Sequence, residues 1–296
     1  MINLKEYRKE EFPKSASVAC QGVKGAYSQM AADILFEEPD IMYMRTFDGV
    51  FRAVDAGLCQ YGILPIENSN AGSVTDVYDL MKAYNAYIVR SVKTSIVHML
   101  LANDGVSIGD IKEIYTHEQA ARQCSSFIEK YPHINLVMCA NTATAAQMVA
   151  DSGRTDIAAI ASENCAELYG LTALEENVQN NSNNYTRFIC ISKKCEVYGS
   201  PDRISLMLTV EHKSGTLFEV IKQFADLDLN LVKLESRPLA DTDFDFMFYF
   251  DVQASIDDAK VHELFTRLNM CTKYLAFLGN YNEIACPVTA ANGDNR

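Results

Sequence analysis

The sequence predicts an α/β protein built in two parts, and three observations predict it. From about residue 17, short apolar runs alternate with helical patterns. A Gly199-Ser200-Pro201 break interrupts that rhythm near residue 200, where such residues mark a linker. Beyond it the order of elements changes to βαββαβ, the ferredoxin-like split arrangement. At 296 residues the chain is also longer than one core commonly serves.

The first part reads as repeated strand-then-helix units. "SVACQG" is a strand and "AYSQMAADILF" a helix; "YGILPIE" is a strand and "TDVYDLMKAY" a helix. "IKEIYT" precedes "HEQAARQCSSFIEKY", "INLVMCA" precedes "TATAAQMVADS", and "DIAAIA" precedes "SENCAELYG". This alternation predicts a largely parallel sheet. In the second part "RISLMLTVE", "LNLVKLESRPL", "FDFMFYFDVQ" and "TKYLAFLGNY" are strands, and "GTLFEVIKQFADL" and "DDAKVHELFTRLN" helices. So small a domain leaves a sheet edge suited to pairing with a second copy. The tail "CPVTAANGDNR" has no periodicity and is expected to fray.

The junctions after the strands carry the functional signal. They are Gly22–Ser28, Glu67–Ser73, Thr116–Gln119, Asn141–Thr144 and Ser162–Asn164, rich in Ser, Thr, Asn and Gly. Ser73 with Asp76, and Thr116 with Gln119, match capping boxes. Any one junction is an ordinary cap or turn. Five together predict a site, because ligands in open α/β sheets bind beyond the carboxyl ends of the strands, where helix N-termini present free N–H groups to an anion.

Composition excludes other classes. The chain is 48% hydrophobic and 22% charged, ordinary for a soluble globular protein. No apolar run reaches the roughly 20 residues of a membrane span, and the charged start "MINLKEYRKEEFPK" is no secretion signal, so a cytoplasmic protein is expected. A net charge of −13 with no basic stripe argues against nucleic acid. The nine cysteines, Cys20, Cys59, Cys124, Cys139, Cys165, Cys190, Cys195, Cys271 and Cys286, form no C-x-x-C pair and read as reduced core thiols. Neither they nor the five histidines have zinc-ligand spacing, and no metal is expected.

Longer motifs are more specific. "GILPIENSNAGSV" together with "NYTRF" resembles the prephenate dehydratase family, as do "GVKGAYSQMA", "THEQAARQC", "NTATAAQMVA" and "AAIASENCAELYGL", in the right order. The βαββαβ part, with "SGTL" and "ESRP", resembles the ACT regulatory module attached to these enzymes. The resemblance covers about residues 17–283 and implies a two-lobed, periplasmic-binding-protein-like dehydratase domain at 17–195, its second lobe about 96–175, and an ACT domain at 203–283. Thr216, Asn141 and Asn180 depart from the usual Ala, Ser and Asp of the motifs. Too little sequence precedes residue 17 for a chorismate mutase domain, so a monofunctional chain is expected.

The resemblance implies decarboxylative dehydration of prephenate to phenylpyruvate, feedback regulation by L-phenylalanine, no metal or organic cofactor, and a homodimer or homotetramer. Hydroxide is a poor leaving group, so the enzyme must donate to it while holding two carboxylates. Thr186 is the implied donor to the leaving hydroxyl. Arg187 either clamps a carboxylate through its forked donors or forms a structural ion pair. Asn68 and Ser69 are donors to the substrate, and Glu67 is an orienting carboxylate or the proton source. Ser28, Thr142 and Thr144 are further donors. His117 is either an acid near neutral pH or part of a helix cap, with Gln119 and Gln123 beside it. The implied phenylalanine site comprises Gly215, Thr216, Leu217, Asn230, Glu235, Ser236, Arg237 and Pro238. Two alternatives stay open: arogenate dehydratase, and a non-catalytic amino-acid sensor.

Overall fold

The structure, a computed structural model, describes residues 7–239 and 245–285; the terminal "CPVTAANGDNR" and Cys286 lie outside the described residues. The chain opens with β1 (Arg8–Lys9), β2 (Ser15–Gln21), α1 (Tyr27–Leu35), β3 (Glu38–Met44), α2 (Phe47–Asp55), β4 (Tyr61–Asn68), β5 (Gly72–Ser73), α3 (Thr75–Tyr84) and β6 (Tyr87–Ser95). It continues with β7 (Met99–Ala102), β8 (Glu113–Thr116), α4 (Glu118–Gln123), α5 (Ser125–Ile128), β9 (Asn135–Met138), α6 (Thr142–Ser152), β10 (Ile157–Ala161), α7 (Glu163–Tyr169) and β11 (Thr172–Glu175). Then come β12 (Tyr185–Ser192), β13 (Val197–Tyr198), β14 (Arg203–Thr209), α8 (Thr216–Asp226), β15 (Asn230–Pro238), β16 (Phe246–Gln253), α9 (Ala259–Cys271), β17 (Tyr274–Tyr281) and β18 (Glu283–Ala285).

Three main sheets result. The first lobe has the order β18-β6-β12-β4-β2-β3, with β5 on β4; the second has β11-β7-β10-β8-β9; the C-terminal sheet has β15-β16-β14-β17. The chain leaves the first lobe after β6 and returns in β12, and these two strands lie side by side. The predicted largely parallel sheet is corrected to mixed sheets. β2 is parallel to β3 and β4, but β12 is antiparallel to β4 and β6, because the returning strand must run back past the one that left. In the second lobe β7 is likewise antiparallel to β10, whereas β8 is parallel to both β9 and β10.

Local chemistry explains most boundaries. α6 begins where Asn141 Oδ1 accepts from Thr144 N at 2.8 Å and ends at Gly153, whose φ of 61° suits a left-handed cap. The long helix predicted from His117 is broken at Cys124 into α4 and α5. Asn180 holds the break: its Oδ1 accepts from Ser126 N at 3.0 Å and its Nδ2 donates to Arg122 O at 3.2 Å. Both predicted capping boxes are corrected. The N-cap of α3 is Val74, and the Ser73 hydroxyl is instead engaged by Lys233 and Glu235. The N-cap of α4 is His117, while Thr116 Oγ1 donates to the carbonyl of Ile160.

The first lobe and the C-terminal sheet share one core. Ile66, Val77, Tyr78, Met81, Ile88 and Ile189 pack with Met207, Met247, Tyr249, Leu278 and Tyr281. Apolar burial, at about 25 cal/mol per Å2, stabilises this contact between the two. β18 then pairs with β6, extending the first-lobe sheet with C-terminal chain. The eight described cysteines are free thiols, five of them buried. Among the described residues no helix is long and apolar enough to cross a membrane.

Candidate active site

A cavity of about 430 Å3 opens between the lobes, lined from the first by Gln21, Tyr27, Ser28, Asn68, Thr186 and Phe188 and from the second by His117, Gln119, Gln123, Asn141 and Thr142. His98, on the crossing segment between β6 and β7, joins them. The ends of α1 and α6 face in with their first residues, Tyr27 with Ser28 and Thr142. Free N–H groups there favour an anion. No Lys or Arg stands among the described lining residues, so an anion would be held by dipoles and neutral donors. Nor do three His, Cys, Asp or Glu side chains among the described residues converge to hold a metal ion.

Thr186 and Asn68 are direct cross-strand partners on β12 and β4. Asn68 Nδ2 donates to Thr186 Oγ1 at 2.9 Å, to Asn184 Oδ1 at 2.9 Å and to Tyr185 O at 3.1 Å. Asn68 Oδ1 accepts from Asn70 N and Ala71 N at 3.0 and 2.9 Å, so the amide is fixed at both ends. Since Thr186 Oγ1 accepts from Asn68, its own proton is free to donate into the cavity. Ser69 lies outside the lining and ties the two loops: its Oγ donates to Asn183 O at 3.1 Å and accepts from Tyr185 N at 3.0 Å.

Arg187 and Glu67 are the next cross-strand pair and face the other way, as neighbours on a strand must. Neither lines the cavity. Of the two readings of Arg187, carboxylate clamp or structural ion pair, its contacts are those of the ion pair. Arg187 Nη2 lies 2.7 Å from Asp251 and 3.2 Å from Glu67, and Glu67 also accepts from Lys233 Nζ at 3.0 Å. Burial alone would lower the Arg187 guanidinium; Asp251, then Tyr281, Tyr78 and Glu67, outweigh it and raise it well above the usual arginine value. Its Nε and Nη1 carry no hydrogen bond, so charge rather than alignment holds the cluster.

The remaining residues divide. His117 caps α4, its Nδ1 accepting from Gln119 N at 3.3 Å, and burial first, partly offset by Glu118, holds its imidazole below the usual histidine value. Thr144 does not line the cavity: two residues beyond Thr142 is more than half a turn round α6. Sequence reasoning missed three residues here. Tyr27 donates to Val97 O at 2.7 Å, Asn184 is fully buried behind Asn68, and His98 is 2% exposed. A histidine inside the apolar run "IVHMLLA" was the one available signal for His98.

With the cavity described, comparison with known proteins places the chain. A model of the family described as "PDT: Prephenate dehydratase" matches residues 18–196. This chain belongs to the prephenate dehydratase family. The arogenate dehydratase/prephenate dehydratase 2 of Arabidopsis thaliana is 36% identical over 277 residues, 89% of this chain and 72% of that protein. The bifunctional chorismate mutase/prephenate dehydratase of Escherichia coli K12 is 32% identical over 283 residues, 93% of this chain and 73% of that one. Among solved structures, the prephenate dehydratase of Arthrobacter aurescens in complex with L-Phe superposes with a TM-score of 0.80 at 27% identity, covering 90% of each chain. A protein described as GqqA, a novel type of quorum quenching acylases, superposes at 0.82 with 29% identity, over 92% of this chain and 98% of that one. The Arthrobacter aurescens dehydratase thus shares the architecture found here over 90% of each chain.

A second cavity, of about 440 Å3, lies in the C-terminal domain and is lined by Gly215, Thr216 and Leu217 with His212, Phe246 and Phe248. Gly215 has φ 86°, a left-handed conformation that suits glycine at the N-cap of α8. Thr216 Oγ1 is turned back onto the carbonyls of Glu211 and Lys213 at 2.7 and 2.9 Å. Asn230, Glu235, Ser236, Arg237 and Pro238 do not line this cavity. Glu235 accepts from Ser73, and Arg237 grips Asp79 of α3 at 2.8 and 3.2 Å, so that face of β15 is docked on the first lobe. Asn230 Nδ2 reaches Gln253 Oε1 at 3.4 Å on the neighbouring strand.

Proposed function

We propose that the chain catalyses the decarboxylative dehydration of prephenate to phenylpyruvate in phenylalanine biosynthesis. The observation that carries this is Thr186, a hydroxyl oriented by Asn68 with its proton free, in an interlobe cavity flanked by helix N-termini. The bond from the ring to its carboxylate breaks, carbon dioxide leaves, and the bonding electrons enter the ring. The ring C–O bond breaks at the far side, and hydroxide leaves as water on taking the Thr186 proton, which solvent then replaces. Such assistance is worth about 10²–10⁴-fold; fixed donors and geometry supply the rest. Ser28, Thr142, Gln119, Gln123 and His117 bind and orient the substrate, while Asn68, its amide spent on protein partners, orients Thr186.

Arogenate, with an amino group in place of the keto oxygen, is the second reading, because the Arabidopsis relative carries both names. Acyl transfer is disfavoured: among the described residues no cavity hydroxyl is hydrogen-bonded to a histidine or carboxylate that could act as its base. The C-terminal domain serves as an ACT module that lowers activity when L-phenylalanine binds beside Gly215 and Leu217. The phenylalanine bound by the Arthrobacter aurescens relative supports this. So does the free edge of β15 with exposed Val232, Leu234 and Phe218, which suits a second copy and would bring Ser236 and Pro238 near a shared effector site.

Purified protein given prephenate without added cofactor should form phenylpyruvate, and given arogenate should form phenylalanine if the second reading holds. Absence of product from both overturns the proposal.

A further inference from the structure

His98 sits where the chain crosses from one lobe to the other, one residue before β7. It is 2% exposed, yet it lines the interlobe cavity. Its Nε2 lies 3.0 Å from Gln123 Oε1. Its Nδ1 is buried with no hydrogen-bond partner. Everything around it is tied down: its backbone N donates to Gln179 Oε1 at 3.0 Å, its carbonyl accepts from Val178 N at 3.0 Å, and the Tyr27 ring packs edge-on at 6.2 Å.

Nδ1 has no acceptor within reach, so a hydrogen there would be a buried donor left unpaired; the hydrogen of the neutral ring therefore sits on Nε2, and Gln123 presents its Oε1 to it. A second hydrogen on Nδ1 would be a buried, charged donor with nothing to receive it, which is costly. Burial pushes the imidazole below the usual histidine value, only partly offset by Gln123.

The constraint passes to Gln123. With Oε1 committed to His98, the amide cannot flip, and its NH2 is the end left to serve the cavity. The backbone of Gln123 is clamped as well, its carbonyl accepting from Asn180 N at 2.6 Å at the break between α4 and α5. We propose that His98 is a positioning residue: as a neutral Nε2–H imidazole it holds the Gln123 carboxamide so that its NH2 group, and not its oxygen, meets the anionic oxygens of the substrate. This rests on the cavity being the dehydratase site. It places the selection of an anion in a lobe-crossing histidine that is neutral when it acts.

The test uses the full-length protein. Wild-type turnover of prephenate or arogenate first decides the functional reading; if neither is consumed, that reading fails, whatever His98 does. Given turnover, His98→Leu should lower kcat/KM on the order of 10–100-fold, the value of a misdirected hydrogen bond to a charged group. The loss should fall mainly on KM, with an unchanged melting temperature. His98→Gln, whose amide nitrogen reaches where Nε2 was, should recover most of it. In a Gln123→Leu background His98→Leu should cost little more, since the two act as a unit. Activity of His98→Leu within about 2-fold of wild type, no recovery by His98→Gln, or additivity with Gln123→Leu would each overturn the proposal. Should His98→Leu fail to fold, nitrogen NMR of histidine-labelled wild type still decides it. The expected signal is a neutral Nε2–H ring at about pH 7.5; an Nδ1–H tautomer, or an imidazolium at that pH, contradicts it.

Discussion

In the proposed reaction Thr186 acts through what Asn68 does to it. Asn68 Nδ2 donates to Thr186 Oγ1 at 2.9 Å, and that single bond decides where the threonine proton can go. Asn68→Ala should therefore lower kcat by about 10–100-fold, with a smaller change in substrate affinity; a change confined to KM in steady-state kinetics would show that Asn68 only binds. The histidines set a second expectation. His98 and His117 are both held below the ordinary value near 6.5, by burial first in each. The unfolded chain takes up protons near that value and the native protein only at lower pH. Between the two the unfolded state binds more protons, so this stability is complete above about pH 6.5 and declines as pH falls below it. Denaturant midpoints should drop from about pH 7.5 to about 5.5 in wild type, roughly one pH unit either side of that value, and the drop should shrink in a His98→Gln/His117→Gln double variant; an identical slope would show that carboxylates dominate. At this scale the sequence already contained the answer for Arg187. Consecutive strand residues face opposite ways, so Thr186 and Arg187 could not both enter one cleft. What it did not contain was the destination, since Asp251 lies far along the chain.

Elements were legible where local chemistry sets them. "TDVYDLMKAY" and "TATAAQMVADS" fold as the helices predicted, to the residue, with a left-handed Asn85 and Gly153 at their ends. β3, α2, β6, β7 and β11 were not read: Pro39 stands inside β3 and Gly49 inside α2, β6 has no Gly or Pro beside it, and β7 and β11 are only four residues long. The break at Cys124 depends on Asn180, more than fifty residues away, and no window on α4 reveals it. One element carries a sharp constraint. Gly279 in β17 has φ 152°, and a Cβ there would stand 2.0 Å from the carbonyl oxygen of Ile88 in β6. A backbone oxygen cannot swing aside, so Gly279→Ala must push the C-terminal sheet off the first lobe. The expected cost is at least about 2–3 kcal/mol by denaturant unfolding; a change below 1 kcal/mol, on the order of a surface substitution, would mean the two sheets are not locked there.

The whole molecule is joined where the cavity meets the C-terminal domain. Thr186 and Asn68 face the cavity; their strand neighbours Arg187 and Glu67 face Asp251 and Lys233. A movement of β15 on binding phenylalanine would thus reach the catalytic pair within one residue. On the proposed inhibition by phenylalanine, Lys233→Met should raise the concentration for half inhibition at least about 5-fold while sparing kcat, and by linkage must weaken the effect of substrate on phenylalanine binding equally. Unchanged inhibition would place the coupling elsewhere. Arg187→Met, which strands Asp251 in the interior, should cost about 3–5 kcal/mol of stability. The most direct test of the account compares Thr186→Val with wild type, measuring turnover and substrate affinity separately. The account predicts that turnover falls by at least about 100-fold while the dissociation constant shifts by less than about 3-fold. Turnover near the wild-type rate, or a loss lying wholly in affinity, would contradict the claim that this hydroxyl eases the leaving group away.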